Sequence, residues 1–223
     1  MTRRTSTRDR LVRAAAELFL RQGYGQTGVS AILERAQATS GSFYHFFQAK
    51  EDLLVAVVDN VRQSLEAEVF GPVASATRDP IERVFEVLGY YRQFLATNEF
   101  ALGLPMGILA NELSESHPQL RSKLAGLFGA WTTGVEDLLY RAGDRLPKDL
   151  DLSALAVFVL TTMEGACIQA RAGRSMVPFD ASVSQLRNYF RLLENGAGST
   201  SQAPLVTKTG PSVQTHPPEW KSW

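Results

Sequence analysis

Residues Val29 to Lys50 read VSAILERAQATSGSFYHFFQAK, and this stretch leaves few folds open. Val29, Ile32, Leu33 and Ala36 recur at helical spacing. A break follows at Gln37-Ala38, and Thr39 or Ser40 then offers a hydroxyl that caps a new helix. That second helix is too short to own a core. It brings Phe43, Phe46 and Phe47 for packing and Ser40, Ser42, Tyr44 and His45 as polar reach. Two short helices across a tight turn, the second rich in hydroxyl and aromatic donors, make a helix-turn-helix pattern. The second helix has the width that fits a DNA major groove.

The formal net charge is zero, which taken alone argues against a nucleic-acid partner. Its distribution reverses that. Residues 1–50 hold Arg3, Arg4, Arg8, Arg10, Arg13, Arg21, Arg35 and Lys50 against Asp9, Glu17 and Glu34, and the rest of the chain carries the balancing acidic excess. A basic head on an acidic body suits a DNA binder with a separate second function. The competing reading is a solvated arm with no partner. Cys167 is the only cysteine, so no intrachain disulfide framework exists. Arg13 and Glu17 interrupt the apolar stretch near the N-terminus, which predicts no signal peptide. The most apolar run, Leu152 to Ala170, contains Ser153, Thr161, Thr162, Glu164 and Gln169, and is expected to be a buried helix rather than a membrane span. A cytoplasmic protein with no membrane partner is expected.

The remaining pattern is helical. Leu11, Ala15, Leu18 and Phe19 give a first helix over about Thr7 to Arg21, with Gly23 ending it. Lys50 opens a long helix through Leu53, Leu54, Val57, Val58, Val61 and Leu65, expected to end near Gly71-Pro72. Asp79-Pro80 is a cap followed by a first-turn proline. Further helices are predicted from about Met106 to Ser114, from Pro118 to Gly143, from Asp151-Leu152 to Gly173 and from Asp180 to Leu193. No convincing alternation of apolar residues predicts a strand. From Asn195 onward Gly, Pro, Ser and Thr follow without period, so residues 195–223 read as a disordered tail ending in Trp220 and Trp223.

Four segments, in order, resemble the N-terminal domain of the TetR family of bacterial transcriptional regulators over roughly residues 8–65. They are AAAELFLRQGYGQT at Ala14 to Thr27, ILERA at Ile32 to Ala36, GSFYHFF at Gly41 to Phe47 and KEDLL at Lys50 to Leu54. One departure is Gln37, where the family often has Gly; a left-handed residue there costs roughly 1–2 kcal/mol. The resemblance implies an all-α chain with a three-helix DNA-binding domain at 1–49. A ligand-binding and dimerisation domain at 50–194 follows, its first helix linking the two. It implies DNA contacts at Thr27, Tyr44, His45 and Lys50, with Gly41 admitting the backbone. By their chemistry Thr39, Ser40 and Ser42 join this set as short hydroxyl donors to phosphate or base. Phe43 and Phe47 are expected in the core.

The C-terminal half carries Tyr90, Phe94, Met106, Phe128, Trp131, Met163, Glu164 and Cys167 on apolar or mixed helix faces. Glycines at 89, 103, 107, 126, 129 and 134 interrupt them and either permit close packing or leave space. The stripe alone reads as core. The family resemblance turns it into a candidate effector cavity, with Trp131 as its expected flat wall. Glu164 is the only charge between Leu152 and Ala170, and a lone buried carboxylate is costly. It therefore contacts a ligand, crosses a subunit interface or lies on a wet edge. Cys167 is either an inert buried thiol or a sensor, the latter requiring an accessible thiolate. His45, His117 and His216 sit in unrelated contexts, so neither a metal site nor a cofactor is expected. Met163-Glu164-Gly165-Ala166, with Gly107 to Leu120, also resembles a branch of the family that includes regulators of detoxifying reductases and of efflux genes.

The expected protein is a homodimeric repressor. Its last two helices would form a four-helix interface, and a charge in the middle of the last helix, at Leu186, is expected to break it. Its two heads would read successive major grooves of a palindromic double-stranded operator about 34–36 Å apart, and a small hydrophobic or aromatic effector would release it. One alternative is a DNA-binding regulator without effector, whose C-terminal half only dimerises or binds a protein. An all-α enzyme is the other, with no nucleophile–base pair, metal spacing or phosphate loop to support it.

Overall fold

In the computed structural model, which describes residues 6–197, the chain folds into helices and no strand occurs among the described residues. Helix α1 spans Thr7–Gln22. Its first turn is capped by the Ser6 hydroxyl accepting from the Asp9 amide, and Gly23 at φ 89° ends it. Helix α2 spans Val29–Ala36 and α3 spans Ser40–Phe46. Between them Gln37 adopts φ 49°, ψ 50°, the left-handed turn for which glycine would be the unstrained choice. Thr39 caps α3 by accepting from the Ser42 amide at 3.2 Å. Arg10 closes the three-helix head, donating from Nε to the Ala36 carbonyl at 3.1 Å.

Helix α4, Lys50–Ser64, lays Leu53, Leu54, Val57 and Val58 into the core. It does not end at Gly71-Pro72 as expected. A π-helical turn over Leu65–Phe70 runs into a further helix, α5, Gly71–Ala76. In the widened turn the Gly71 amide bonds to the Glu66 carbonyl, and the axis passes Pro72, whose ring brings no N–H to the ladder.

Helix α6 spans Pro80–Thr97, capped as expected by Asp79, which accepts from the amides of Ile81 and Glu82. Glu99 and Phe100 then turn the chain with successive left-handed conformations, a bend that no glycine announces. Helix α7, Pro105–Ser116, starts one residue before its predicted bound. A 3-10 turn at Pro118–Leu120 leads into α8, Arg121–Arg141. Helix α9 spans Leu152–Gly173, with its left-handed cap on Arg174 rather than on the glycine.

Helix α10 begins at Val177, before the predicted Asp180, and reaches Ala197. Asn195 to Ala197 are therefore helical, with no proline before Pro204 to stop them; the rest of the predicted tail, with Trp220 and Trp223, lies outside the described residues.

Helices α8, α9 and α10 pack in sequence, and α6 lies across them. Helix α9 is long and apolar enough to cross a membrane by length and composition. In the fold Leu155, Ala156, Val159, Leu160, Met163, Ala166, Cys167 and Ala170 face the interior. The opposite face departs from the expected fully buried helix: Val157 and Phe158 are half exposed and Ile168 is 65 % exposed. Tyr189 and Leu192 of α10 are exposed beside it, whereas Leu186 points inward at 2 %. Leu186 is core within one subunit, because α10 turns that side toward α9 and α6.

Candidate DNA-reading helix and effector clefts

Helix α3 presents most of the side chains expected of it. Thr39, Ser40, Gly41, Tyr44 and His45 are exposed, and Tyr44 is 62 % exposed. Ser42 is half-buried, its hydroxyl 3.1 Å from that of Thr39. Phe43 and Phe47 are buried. Phe46, expected to pack, is exposed instead and stacks edge-on against His45. A seven-residue helix has room for one inward aromatic per turn, so Phe46 falls on the outer side with Tyr44 and His45. Its exposure adds an apolar surface to the outward face of α3, from a residue that the sequence pattern assigned to the core.

Two expected contacts are arranged differently. Thr27 is fully buried; its hydroxyl donates to the Gly23 carbonyl at 2.6 Å and accepts from Gln22 at 3.2 Å. In this conformation its side chain closes the loop rather than facing outward. The Lys50 ammonium donates to the carbonyls of Tyr24 at 3.0 Å and Thr27 at 3.1 Å, and lies 4.0 Å from the Tyr24 ring centroid. Two of its three N–H groups are thereby occupied, so in this conformation Lys50 organises the 24–27 loop.

The same loop is held from the body. The Glu112 carboxylate on α7 accepts from the Tyr24 amide at 2.8 Å and the Gly25 amide at 2.7 Å. Tyr24 is buried, edge-on to both Phe19 and His117, and its hydroxyl donates to Glu51. Glu112 escaped the sequence reading because its partners are backbone amides 87 and 88 residues away. Glu112→Ala should cost roughly 2–3 kcal/mol, the scale of a hydrogen-bonded charge left out, and should speed hydrogen exchange at the Tyr24 and Gly25 amides. Unchanged exchange at both positions would show that the carboxylate does not hold the loop.

The eight candidate effector residues separate into three groups. Tyr90, Phe94 and Met106 line a cavity of about 140 Å³ between α4, α6 and the start of α7. Phe128, Glu164 and Cys167 line an open cleft of about 760 Å³ with Gly107, Asn111 and Arg171. Phe128 and Glu164 also border a neighbouring cleft of about 620 Å³ between α8 and α9. Met163 and Trp131 are buried at 1 % and 0 % and line none of these three spaces. The Trp131 indole N–H donates to the Tyr91 hydroxyl at 3.0 Å, with the Phe70 ring on its other side. Trp131 is thus a core residue behind the small cavity and not its wall.

Glu164 stands where the two clefts meet. Its Oε1 is buried without a hydrogen-bond partner, and its Oε2 lies where a Cβ on Gly107 would come within 2.6 Å. A side chain at 107 would push this carboxylate aside. Burial pushes the Glu164 carboxyl up to about 7, opposed by the Gly107 backbone amide. Cys167, one turn on, is 3 % exposed, and burial pushes its thiol up to about 12 with a further rise from Glu164. It stays a protonated thiol near neutral pH, unlike a reactive sensor cysteine. Among the described residues no cluster of His, Cys, Asp or Glu could hold a metal ion.

Comparisons with known proteins agree with this architecture. Residues 11–57 match the bacterial regulatory proteins of the tetR family, and residues 80–185 match the C-terminal domain of LmrA/YxaF-like transcriptional regulators. The chain is 30 % identical over 179 residues to the helix-turn-helix transcriptional regulator YxaF of Bacillus subtilis, covering 80 % of this chain and 92 % of that protein. It is 25 % identical over 179 residues to the transcriptional repressor DhaR of a Mycobacterium species, covering 79 % and 88 %. Among solved structures, a TetR regulatory protein from Rhodobacter sphaeroides superposes with a TM-score of 0.75 at 26 % identity, covering 83 % of this chain and 97 % of that one. The reduced form of Escherichia coli NemR shares the fold with a TM-score of 0.71 at 24 % identity, covering 82 % and 96 %. An exposed helix-turn-helix, an all-helical body behind it and matches spanning both halves place this chain in the TetR family, a family of transcriptional regulators and not of enzymes.

Proposed function

We propose that this protein is a homodimeric repressor that binds a palindromic operator and releases it when a small, mainly apolar effector enters the body. The observation that carries the reading is α7. Its first turn lines the cavity at Met106 and the cleft at Gly107, and its last turns hold the DNA-binding loop through Glu112. A ligand that shifts α7 therefore has a short mechanical route to the head. It acts only by binding the released state more tightly, and a hundredfold preference amounts to about 2.7 kcal/mol. Residues 1–49 serve as the DNA-binding head and 50–194 as the body, with α4 linking them. The exposed apolar faces of α9 and α10 support pairing with a second copy, and DhaR, a relative, is itself a transcriptional repressor.

On DNA, Tyr44, His45, Thr39 and Ser40 form the reading face, with Gly41 at the point of approach, Ser42 beside it and Phe46 as an apolar addition. Lys50 and Thr27 enter as supports of the loop; a phosphate would have to compete with the Tyr24 and Thr27 carbonyls for the Lys50 ammonium. Selection of a duplex from random DNA by the purified protein would supply the operator. Tyr44→Ala should then weaken it by roughly 1–3 kcal/mol, the scale of a specific base contact, without changing the far-ultraviolet circular dichroism. Full affinity in the folded variant would remove Tyr44 from the reading face, and selection of no preferred duplex would remove the operator itself.

A further inference from the structure

The cleft at Glu164 has chemistry beyond apolar fit. Its walls are apolar where Leu104, Ile108 and Phe128 contribute. At its junction with the neighbouring cleft stands a carboxylate that has no cation beside it and one oxygen with no partner. The surrounding elements do not neutralise it. Helix α7 brings the Gly107 backbone and the uncharged Asn111, and α8 brings Phe128 and Thr132. Tyr91 of α6 and Cys167 of α9 both feel the carboxylate as a repulsive charge. Arg171 of α9 lines the same cleft, but its guanidinium lies against Gly103 and makes no salt bridge with Glu164. Glu164 has no salt-bridge partner among the described residues. A buried acid in this state is stabilised by a ligand that brings the missing positive charge and hydrogen-bond donor together.

We infer that the α7–α8–α9 cleft takes an organic cation: a protonated amine on a flat apolar body, with the ammonium on Glu164 and the body against Phe128. This rests on the effector reading above and narrows it to a ligand class. It also gives binding a pH dependence of known sign. A carboxyl that titrates near 7 is mostly protonated at pH 6 and mostly ionised at pH 8, and only the ionised form attracts the ammonium. Binding of the cation therefore strengthens as pH rises across that interval, by roughly tenfold. The same shift weakens the fold as pH rises from the unfolded carboxyl's range toward 7, because the unfolded chain ionises more easily.

The test uses the full-length protein and three probes with one biphenyl body: 4-phenylbenzylamine, 4-phenylbenzyl alcohol and 4-phenylbenzoate. Calorimetry should show the amine binding at least tenfold more tightly than the alcohol at pH 8, gaining about tenfold from pH 6 to pH 8, while the benzoate binds worst. Glu164→Gln should erase both the amine's preference and its pH response and leave the alcohol unchanged. The variant should melt no lower than the wild type at pH 8, which confirms that it is folded. Equal binding of amine and alcohol, or tightest binding of the benzoate, overturns the cation assignment while leaving an effector cleft. If Glu164→Gln alters subunit association but not amine affinity, the carboxylate belongs to an interface and the assignment falls. Should none of the three probes bind, the cation class fails. The effector reading is judged separately, by whether any small apolar compound releases the selected operator.

Discussion

Ile168→Glu combined with Leu192→Glu should turn a dimer into a folded monomer that has lost its operator. Both side chains are exposed, at 65 % and 69 %, so charges there leave the core of one chain intact, although Ile168 also borders the Glu164 cleft and the variant is therefore read by mass, circular dichroism and DNA binding alone. Helices α9 and α10 are each about 30 Å long by their rise and lie side by side. Together they offer a face on the scale of a stable interface, near 800 Å² per partner. Charges placed on both helices would face their own copies across a two-fold axis. Sedimentation should report the monomer mass, circular dichroism should be unchanged, and operator affinity should fall by more than about a hundredfold, or about 2.7 kcal/mol. A doubly charged variant that stays dimeric and holds DNA would place the interface on another surface. Leu186→Glu is a different experiment, since Leu186 is 2 % exposed; a charge there should unfold the body before it separates subunits.

Trp131→Ala should cost about 3–5 kcal/mol. For a chain of this length that corresponds to a fall in Tm of roughly 6–20 °C. The indole is fully buried between Phe70 and Tyr91, and its removal also leaves the Tyr91 hydroxyl without its donor. The Phe70 ring in turn packs directly on Gly134. Operator binding and any effector response should fail over the same temperature range. Trp131→Phe should be milder, keeping most of the volume and losing the hydrogen bond. Thermal melts beside binding curves decide this: a Trp131→Ala protein as stable as the wild type would contradict the core assignment.

The contrast between Trp131 and Glu164 shows how far sequence reasoning reaches. Both stand out as candidates, one for its size and one for its isolation in an apolar run. Periodicity places Trp131 on a helical stripe with Leu124, Leu127 and Phe128, but a stripe has the same pattern whether it meets a filled core or an open cleft. Tyr91 answers the question from another helix, 40 residues away. For Glu164 the sequence identifies a carboxylate with a problem. The structure adds that the Gly107 approach crowds one oxygen and that the other has no partner.

The head divides in the same way. Its turn, caps and exposed Tyr44 follow from local rules: Thr39 precedes a short helix and caps it, and Gln37 must turn left-handed between two helices that close on one core. Thr27 and Lys50 resemble DNA contacts through the motif they belong to. Their donors turn inward because the 23–27 segment has carbonyls that need partners, Gly23 for Thr27 and Tyr24 and Thr27 for Lys50, and loop closure is not written in spacing.

The sequence by itself determined the helical class, the start signals at Thr39, Asp79 and Asp151, the helix-turn-helix and the basic head. Each depends on residues within a turn or two of one another, where spacing and side-chain chemistry suffice. Only the tertiary structure decided that α9 has a buried and a bare face and that Phe46 looks outward. It also decided that Glu112 ties the body to the head and that the candidate effector residues split between a small cavity, two adjoining clefts and the core. Those outcomes depend on which distant segments occupy the neighbouring volume. That occupancy is set by packing the whole chain at once.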